Sequence, residues 1–160
     1  AHAEPLIHGG GQEHGLRSGT ENVAWAVALA TALDSLAEVT SETERVSQLR
    51  NDFIVEVLAQ LPNAKLTGHP INRSANIASF TFEGVSGEAV LLELERRGVI
   101  VSSGSACAAG SDEPSHVLLA IGLQPEVAQT AIRFSFSHET TAQELSDAAK
   151  ALVESVKVFI

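Results

Sequence analysis

The chain has one cysteine, no run of basic residues and no hydrophobic segment long enough to span a bilayer. Each shortage excludes something. A single cysteine among 160 residues rules out an intramolecular disulfide and fits a reducing compartment. Twenty acidic against ten basic residues leave a net charge of −10, and the longest basic cluster is the pair Arg96-Arg97, so a nucleic-acid surface is not expected. The most apolar stretch, Val23 to Leu33, is about half of the roughly 20 residues that cross a membrane. Ala1 to Pro5 lacks the charged and apolar regions of a secretion signal, so the expectation is a cytoplasmic protein with no membrane partner. The six histidines, His2, His8, His14, His69, His116 and His138, form no H-x-x-x-H pair. With a lone cysteine they make no zinc framework, and no metal site is expected. Internal repeats and low-complexity linkers are also missing.

What is present alternates between helix and strand patterns. Hydrophobic residues make up 44%, enough for one folded domain and a piece of another. A glycine-rich stretch, Gly9 to Thr20, precedes an S-x-x-E spacing at Ser18 and Glu21, which predicts a helix start near Ser18 to Thr20. Val23 to Leu33 is apolar around most of a helix circumference, so that helix needs a partner surface on several sides. Val46, Leu49, Phe53, Val57 and Leu61 recur at helical spacing within 41–61. Strands are expected at 76–83, at 99–101 and at 131–137, where Ile132, Phe134 and Phe136 alternate with Arg133 and serines. Further helices are expected at 87–97, stopped by Gly98, at 114–121, closed by Gly122, and at 141–158, where Thr141 and Glu144 have capping-box spacing. The pattern is α+β, a small sheet covered by helices.

Three places could carry chemistry. Cys107 lies in Ser102-Ser103-Gly104-Ser105-Ala106-Cys107, a run of small residues that suits a loop; a reactive thiol and an inert loop cysteine both remain open, because reactivity needs a lowered pKa. A helix start near Asp112 to Ser115 is one route to such a pKa, and His116 is a candidate hydrogen-bond partner or an ordinary surface residue. Arg17-Ser18-Gly19-Thr20 reads as a capped helix start or as a phosphate site built from N–H groups and a guanidinium. Gly9-Gly10-Gly11 does not fit the dinucleotide fingerprint. Arg133 is either solvated or a fixed clamp for a carboxylate.

Three motifs, in this order, are similar to the NifS-type (IscS-like) cysteine desulfurases of the class V aminotransferase family. They are Gly9-Gly10-Gly11-Gln12-Glu13 through Arg17-Ser18-Gly19-Thr20-Glu21-Asn22; Ser102 through Cys107 with Glu113-Pro114-Ser115-His116-Val117-Leu118; and Ala131-Ile132-Arg133-Phe134-Ser135. The resemblance spans essentially the whole chain and implies the small C-terminal domain of a fold-type I pyridoxal 5'-phosphate (PLP) enzyme, with a small, mostly antiparallel sheet covered by helices. Residues 1–40 would be the end of the large cofactor domain with the long connecting helix, and 41–160 the small domain carrying the cysteine loop. Cys107 is then implied as the nucleophile that becomes a persulfide, Arg133 as the clamp on the α-carboxylate of L-cysteine, and Thr20 as a ligand to the cofactor phosphate of the neighbouring subunit in a homodimer. Alanine would be the product, with sulfur passing to an acceptor or iron–sulfur scaffold protein, to which Cys107 could bridge as a transient cluster ligand.

The chain departs from that family in lacking the Schiff-base lysine motif: Lys65, Lys150 and Lys157 are its only lysines and none sits in such a context. The large domain's stacking histidine and pyridine-nitrogen aspartate also have no counterpart. The resemblance therefore implies a fragment with most of the cofactor domain absent, inactive alone. Lesser departures are His14 and His138, where arginine is frequent, and Ala108-Ala109, where hydroxyl residues are frequent. A selenocysteine lyase of the same fold, or a non-catalytic domain that docks a sulfur acceptor, are the alternatives.

Overall fold

A computed structural model describes residues 4–103 and 113–160. The chain divides into two compact units, 1–39 and 40–160. In the first, a loop with a short 3-10 turn at Gln12–Gly15 leads into helix α1 (Val23–Asp34) and a further 3-10 turn at Ser35–Glu38. Alanine, leucine and valine carry α1 with no polar stripe, and Val23, Trp25, Val27, Leu29 and Leu33 are all more than half exposed. No described helix is by itself long and apolar enough to cross a membrane.

The second unit is built on helix α2 (Val39–Gln60), strands β1 (Ala64–Leu66) and β2 (Ile77–Phe82), helix α3 (Gly87–Arg96), strand β3 (Ser102–Ser103), the short helices α4 (His116–Ala120) and α5 (Pro125–Ala128), strand β4 (Ile132–Ser135) and helix α6 (Ala142–Lys157). The four strands form one sheet in the order β1-β2-β4-β3, every pair antiparallel. Alternation along β2 and β4 sends Ala78, Phe80, Phe82, Ile132, Phe134 and Phe136 to one face, where they join Phe53 and Val57 of α2, Val90 and Leu94 of α3 and Leu152 and Val156 of α6 in the core. Phe53 is its centre, with ring centroids 4.9 Å from Phe134, 5.5 Å from Phe136 and 6.1 Å from Phe80, spacings at which aromatic pairs add to simple burial. This fixes the sheet's other face as the one available to a ligand.

Two expectations are corrected. The first helix begins at Val23, not near Ser18 to Thr20: Ser18 is buried and its hydroxyl donates to the Gly10 carbonyl, so Asn22 caps α1 instead, its Oδ1 accepting from Trp25 N at 3.1 Å. The strand expected at 99–101 is displaced to Ser102–Ser103, because Val99 N is bonded to Leu94 O in the turn that closes α3. The structure adds β1 and α5, each too short for periodicity to register. The capping box at Thr141 and Glu144 forms as its spacing predicts.

Two stability predictions arise here. A Cβ on Gly87 would lie 2.6 Å from Gln129 O and 2.9 Å from Thr130 C, and both are backbone atoms that cannot swing aside. Gly87→Ala should therefore lower stability by about 1–3 kcal/mol, read as a lower urea midpoint at unchanged slope. The second concerns acid. Glu144 is held below the usual carboxylate range by hydrogen bonds from the Thr141 backbone and hydroxyl, Glu42 by its hydrogen bond from Arg45, and Asp147 by that from Gln143. Folded values lie below unfolded ones, so the stabilisation is present above the ordinary carboxylate range and disappears as pH falls through the depressed values. Thermal melts taken from neutral pH down to about pH 3 should show a falling midpoint, with a shallower fall in Glu144→Gln.

Candidate functional site

The alternation that buries Ile132 and Phe134 turns Arg133 to the opposite face of the sheet, where it is half-buried. Both neighbouring strands present serine to it: Ser79 of β2 and Ser102 of β3 are the residues paired directly with Arg133. Strong acceptors are thus missing from both sides of a cation.

The other arginines show how unusual this is. Arg17 donates to the Thr20 carbonyl at 3.3 Å. Arg45 bonds Glu42 and the carbonyls of His138 and Thr140. Arg50, buried on α2, donates to Ser74 O at 2.6 Å and to Asn51 Oδ1. Arg73 donates to Thr67 O at 2.7 Å and His69 O at 2.9 Å. Burial pushes the Arg50 and Arg73 guanidinium groups below the ordinary arginine value, with the Arg50 charge adding to the effect on Arg73. Arg96 and Arg97 both donate to Glu93, and Arg97 also pairs with Glu154 across to α6. Among the described residues Arg133 alone, of seven arginines, has no hydrogen bond or ion pair. A half-buried guanidinium with five unused N–H donors is a site for a planar anion, and a carboxylate matches its fork with two parallel bonds.

Cys107 lies outside the described residues. The last described residues before it are Ser102 and Ser103 of β3, with Ser102 opposite Arg133 and Ser103 opposite Ile132. Where the described residues resume, Ser115 is buried before α4, Leu118 packs with Ala128 and Ala131, and His116 is exposed.

The glycine-rich loop of the first unit is held by its own polar groups. Ser18 N donates to Ile7 O at 3.2 Å, Ser18 Oγ to Gly10 O at 2.9 Å and Gly19 N to Gln12 Oε1 at 3.4 Å. Glu13 and His14 take left-handed backbone angles, φ 50° and 55°, a conformation that is unfavourable for residues with a Cβ. Thr20 stands exposed between this loop and α1, and its hydroxyl has no partner among the described residues. Of the three residues singled out by sequence, then, two are described, Arg133 and Thr20, each with an uncommitted polar group and each in a different unit. The serine flanks of Arg133 went unnoticed in the sequence, since cross-strand pairing carries no local signal. Asn22 was detectable as a preferred capping residue next to the apolar run. Among the described residues no group of three or more His, Cys, Asp or Glu could hold a metal ion.

Comparison with known proteins adds a consistent set of likenesses. Residues 6–147 match the family model described as aminotransferase class-V. The chain is 42% identical over 159 residues to the cysteine desulfurase IscS of Dictyoglomus turgidum, covering 97% of this chain and 40% of that protein. It is 44% identical over 142 residues to the cysteine desulfurase NifS of Azotobacter vinelandii, covering 88% and 35% respectively. Among solved structures, a NifS-like protein superposes with a TM-score of 0.79 at 30% identity, over 96% of this chain and 39% of that one. A NifS-like protein from Rickettsia africae gives 0.75 at 30% identity, over 96% and 40%. The chain thus spans about 40% of the length of the relatives it matches.

Proposed function

This chain belongs to the class V aminotransferase family, and from that premise we propose that it is the part of a PLP-dependent cysteine desulfurase that holds the substrate carboxylate and carries away the sulfur. The net reaction in this reading converts L-cysteine and the Cys107 thiol into L-alanine and a Cys107 persulfide. The Cβ–Sγ bond of the substrate breaks, a sulfur–sulfur bond forms on Cys107, and the proton of the Cys107 thiol ends on the alanine methyl group.

The observation that carries the reading is Arg133, the one arginine without a partner among the described residues, on the strand paired with β3, the last described element before Cys107 in the sequence. Its two parallel N–H bonds would grip the α-carboxylate of L-cysteine and fix the orientation of the amino acid, turning a collision into a positioned encounter. The small residues around Cys107 would let the thiol travel from that amino acid to an acceptor protein, such as an iron–sulfur scaffold. In the first unit, the hydroxyl of Thr20, without a partner among the described residues, and the guanidinium of Arg17 suit a phosphate, and in this reading they serve the cofactor of a neighbouring subunit.

Bound PLP would supply the electron sink for carbon–sulfur cleavage. The residues present fit its phosphate and the substrate carboxylate, but not its covalent anchorage: Lys65 pairs with Glu83 and Lys150 with Asp147 on exposed surface, and Lys157 lies in the last turn of α6. The anchoring lysine of this reading belongs to the longer chain that the relatives possess. To test it, the complete enzyme is incubated with L-cysteine and the peptide containing Cys107 is weighed. The expected result is a gain of one sulfur atom matched by one L-alanine released. Alanine formed with no sulfur on that peptide at any time would overturn the role given to Cys107.

A further inference from the structure

The two serines beside Arg133 occupy the positions from which an acidic side chain would neutralise it. In an antiparallel pair, directly opposed residues have Cα atoms about 4.5–5.5 Å apart, and opposite charges so placed attract each other. Arg133 has such a neighbour on each side, Ser79 and Ser102. A serine hydroxyl ends one bond beyond Cβ, far short of a guanidinium at the end of an extended arginine, and neither serine hydroxyl has a hydrogen-bond partner among the described residues. The chain does not lack acids to place there: it has twenty, and Glu93 and Glu42 hold three of the other arginines. On β1 and the turn after β2 the same sheet does carry an acid–base pair, Lys65 with Glu83 at 3.1 Å.

We infer that Ser79 and Ser102 are specificity-determining positions of the Arg133 site, keeping the guanidinium unpaired so that it takes its counter-charge from a ligand carboxylate. The inference rests on Arg133 being the carboxylate clamp, and it concerns what leaves that clamp open. A neutral side chain on both flanks makes the site select ligands that carry a carboxylate over those with an amide in its place, since an unpaired half-buried guanidinium gains from a carboxylate what it cannot gain from an amide.

The test uses the complete enzyme with its cofactor bound, labelled with nitrogen-15 and titrated with L-alanine, with L-alaninamide as the ligand lacking a carboxylate. The readout is the shift of the Arg133 Nε–H signal and of the Ile132 and Phe134 amides, in the unmodified chain and in Ser79→Glu, Ser102→Glu, Ser79→Gln and Ser102→Gln. L-Alanine is expected to move these signals and L-alaninamide to leave them in place. Each glutamate variant should weaken alanine binding by up to about fivefold, the range of an ion pair of up to about 1 kcal/mol, while each glutamine variant, equal in size but neutral, keeps it. Retention of binding in both glutamate variants would overturn the inference, as would equal loss in the glutamine variants, since bulk rather than charge would then be responsible. The spectra themselves report whether each variant is folded, and two independent positions guard against failure of one. Arg133→Ala separates the two levels: an alanine response that is absent from the unmodified chain, or that survives this substitution, would overturn the clamp itself.

Discussion

Replacing Cys107 by serine in the complete enzyme is expected to abolish sulfur transfer while leaving cofactor binding intact. These 160 residues contain no other thiol, so nothing else among them can form a persulfide. Serine is close in size, and its hydroxyl is neither ionised near neutral pH nor able to hold sulfane sulfur, so the loss should be complete rather than partial. Two measurements check it: the mass of the Cys107 peptide after exposure to L-cysteine, and the visible absorbance of the cofactor. An unchanged spectrum with no added sulfur is the expected pair. Lost absorbance would mean that Cys107 helps to hold the cofactor, contrary to its assignment as a carrier.

Arg133→Ala should produce the second large effect, a fall in kcat/KM for L-cysteine of roughly a hundredfold or more. Each charged hydrogen bond is worth about 1.5–3 kcal/mol, and about 1.4 kcal/mol is a factor of ten, so two lost bonds give at least that much even when water replaces part of the contact. Removal of a pure binding contact raises KM, whereas removal of one that also orients the amino acid lowers kcat as well. Arg133→Lys is expected to recover only part of the loss, because an ammonium keeps the charge and forfeits the planar fork. Full activity in Arg133→Lys would assign the site to simple charge attraction. Fold stability should change little in either variant, since Arg133 makes no internal hydrogen bond or ion pair among the described residues.

Much of the architecture was legible in the sequence because helices and half-buried strands leave local periodic marks. The stripe at Val46, Phe53 and Val57 became the buried face of α2, and the alternation from Ile132 to Phe136 became the buried side of β4 with Arg133 opposite. The terminal box at Thr141 and Glu144 formed as spaced. Where the reading failed, a competing local bond decided the outcome. Ser18 matched a capping pattern, yet its hydroxyl went to Gly10, leaving the cap to Asn22. Val99 to Val101 looked like a strand, but the closing turn of α3 kept Val99, and pairing began at Ser102.

By itself, the sequence determined the order and type of most elements, which residues of each face the core, the motifs that tie the chain to its family, and the identity of the only thiol. These are properties of neighbours a few positions apart, and hydrophobic periodicity and capping act over that distance. The tertiary structure alone decided that β4 lies between β2 and β3, and therefore that Ser79 and Ser102 meet Arg133. It also decided that Arg133 would meet no acceptor among the described residues. Arg17, Arg45, Arg73, Arg96 and Arg97 reach acceptors three or four residues away, whereas the neighbours of Arg133 come from distant strands and are settled only when the sheet has assembled.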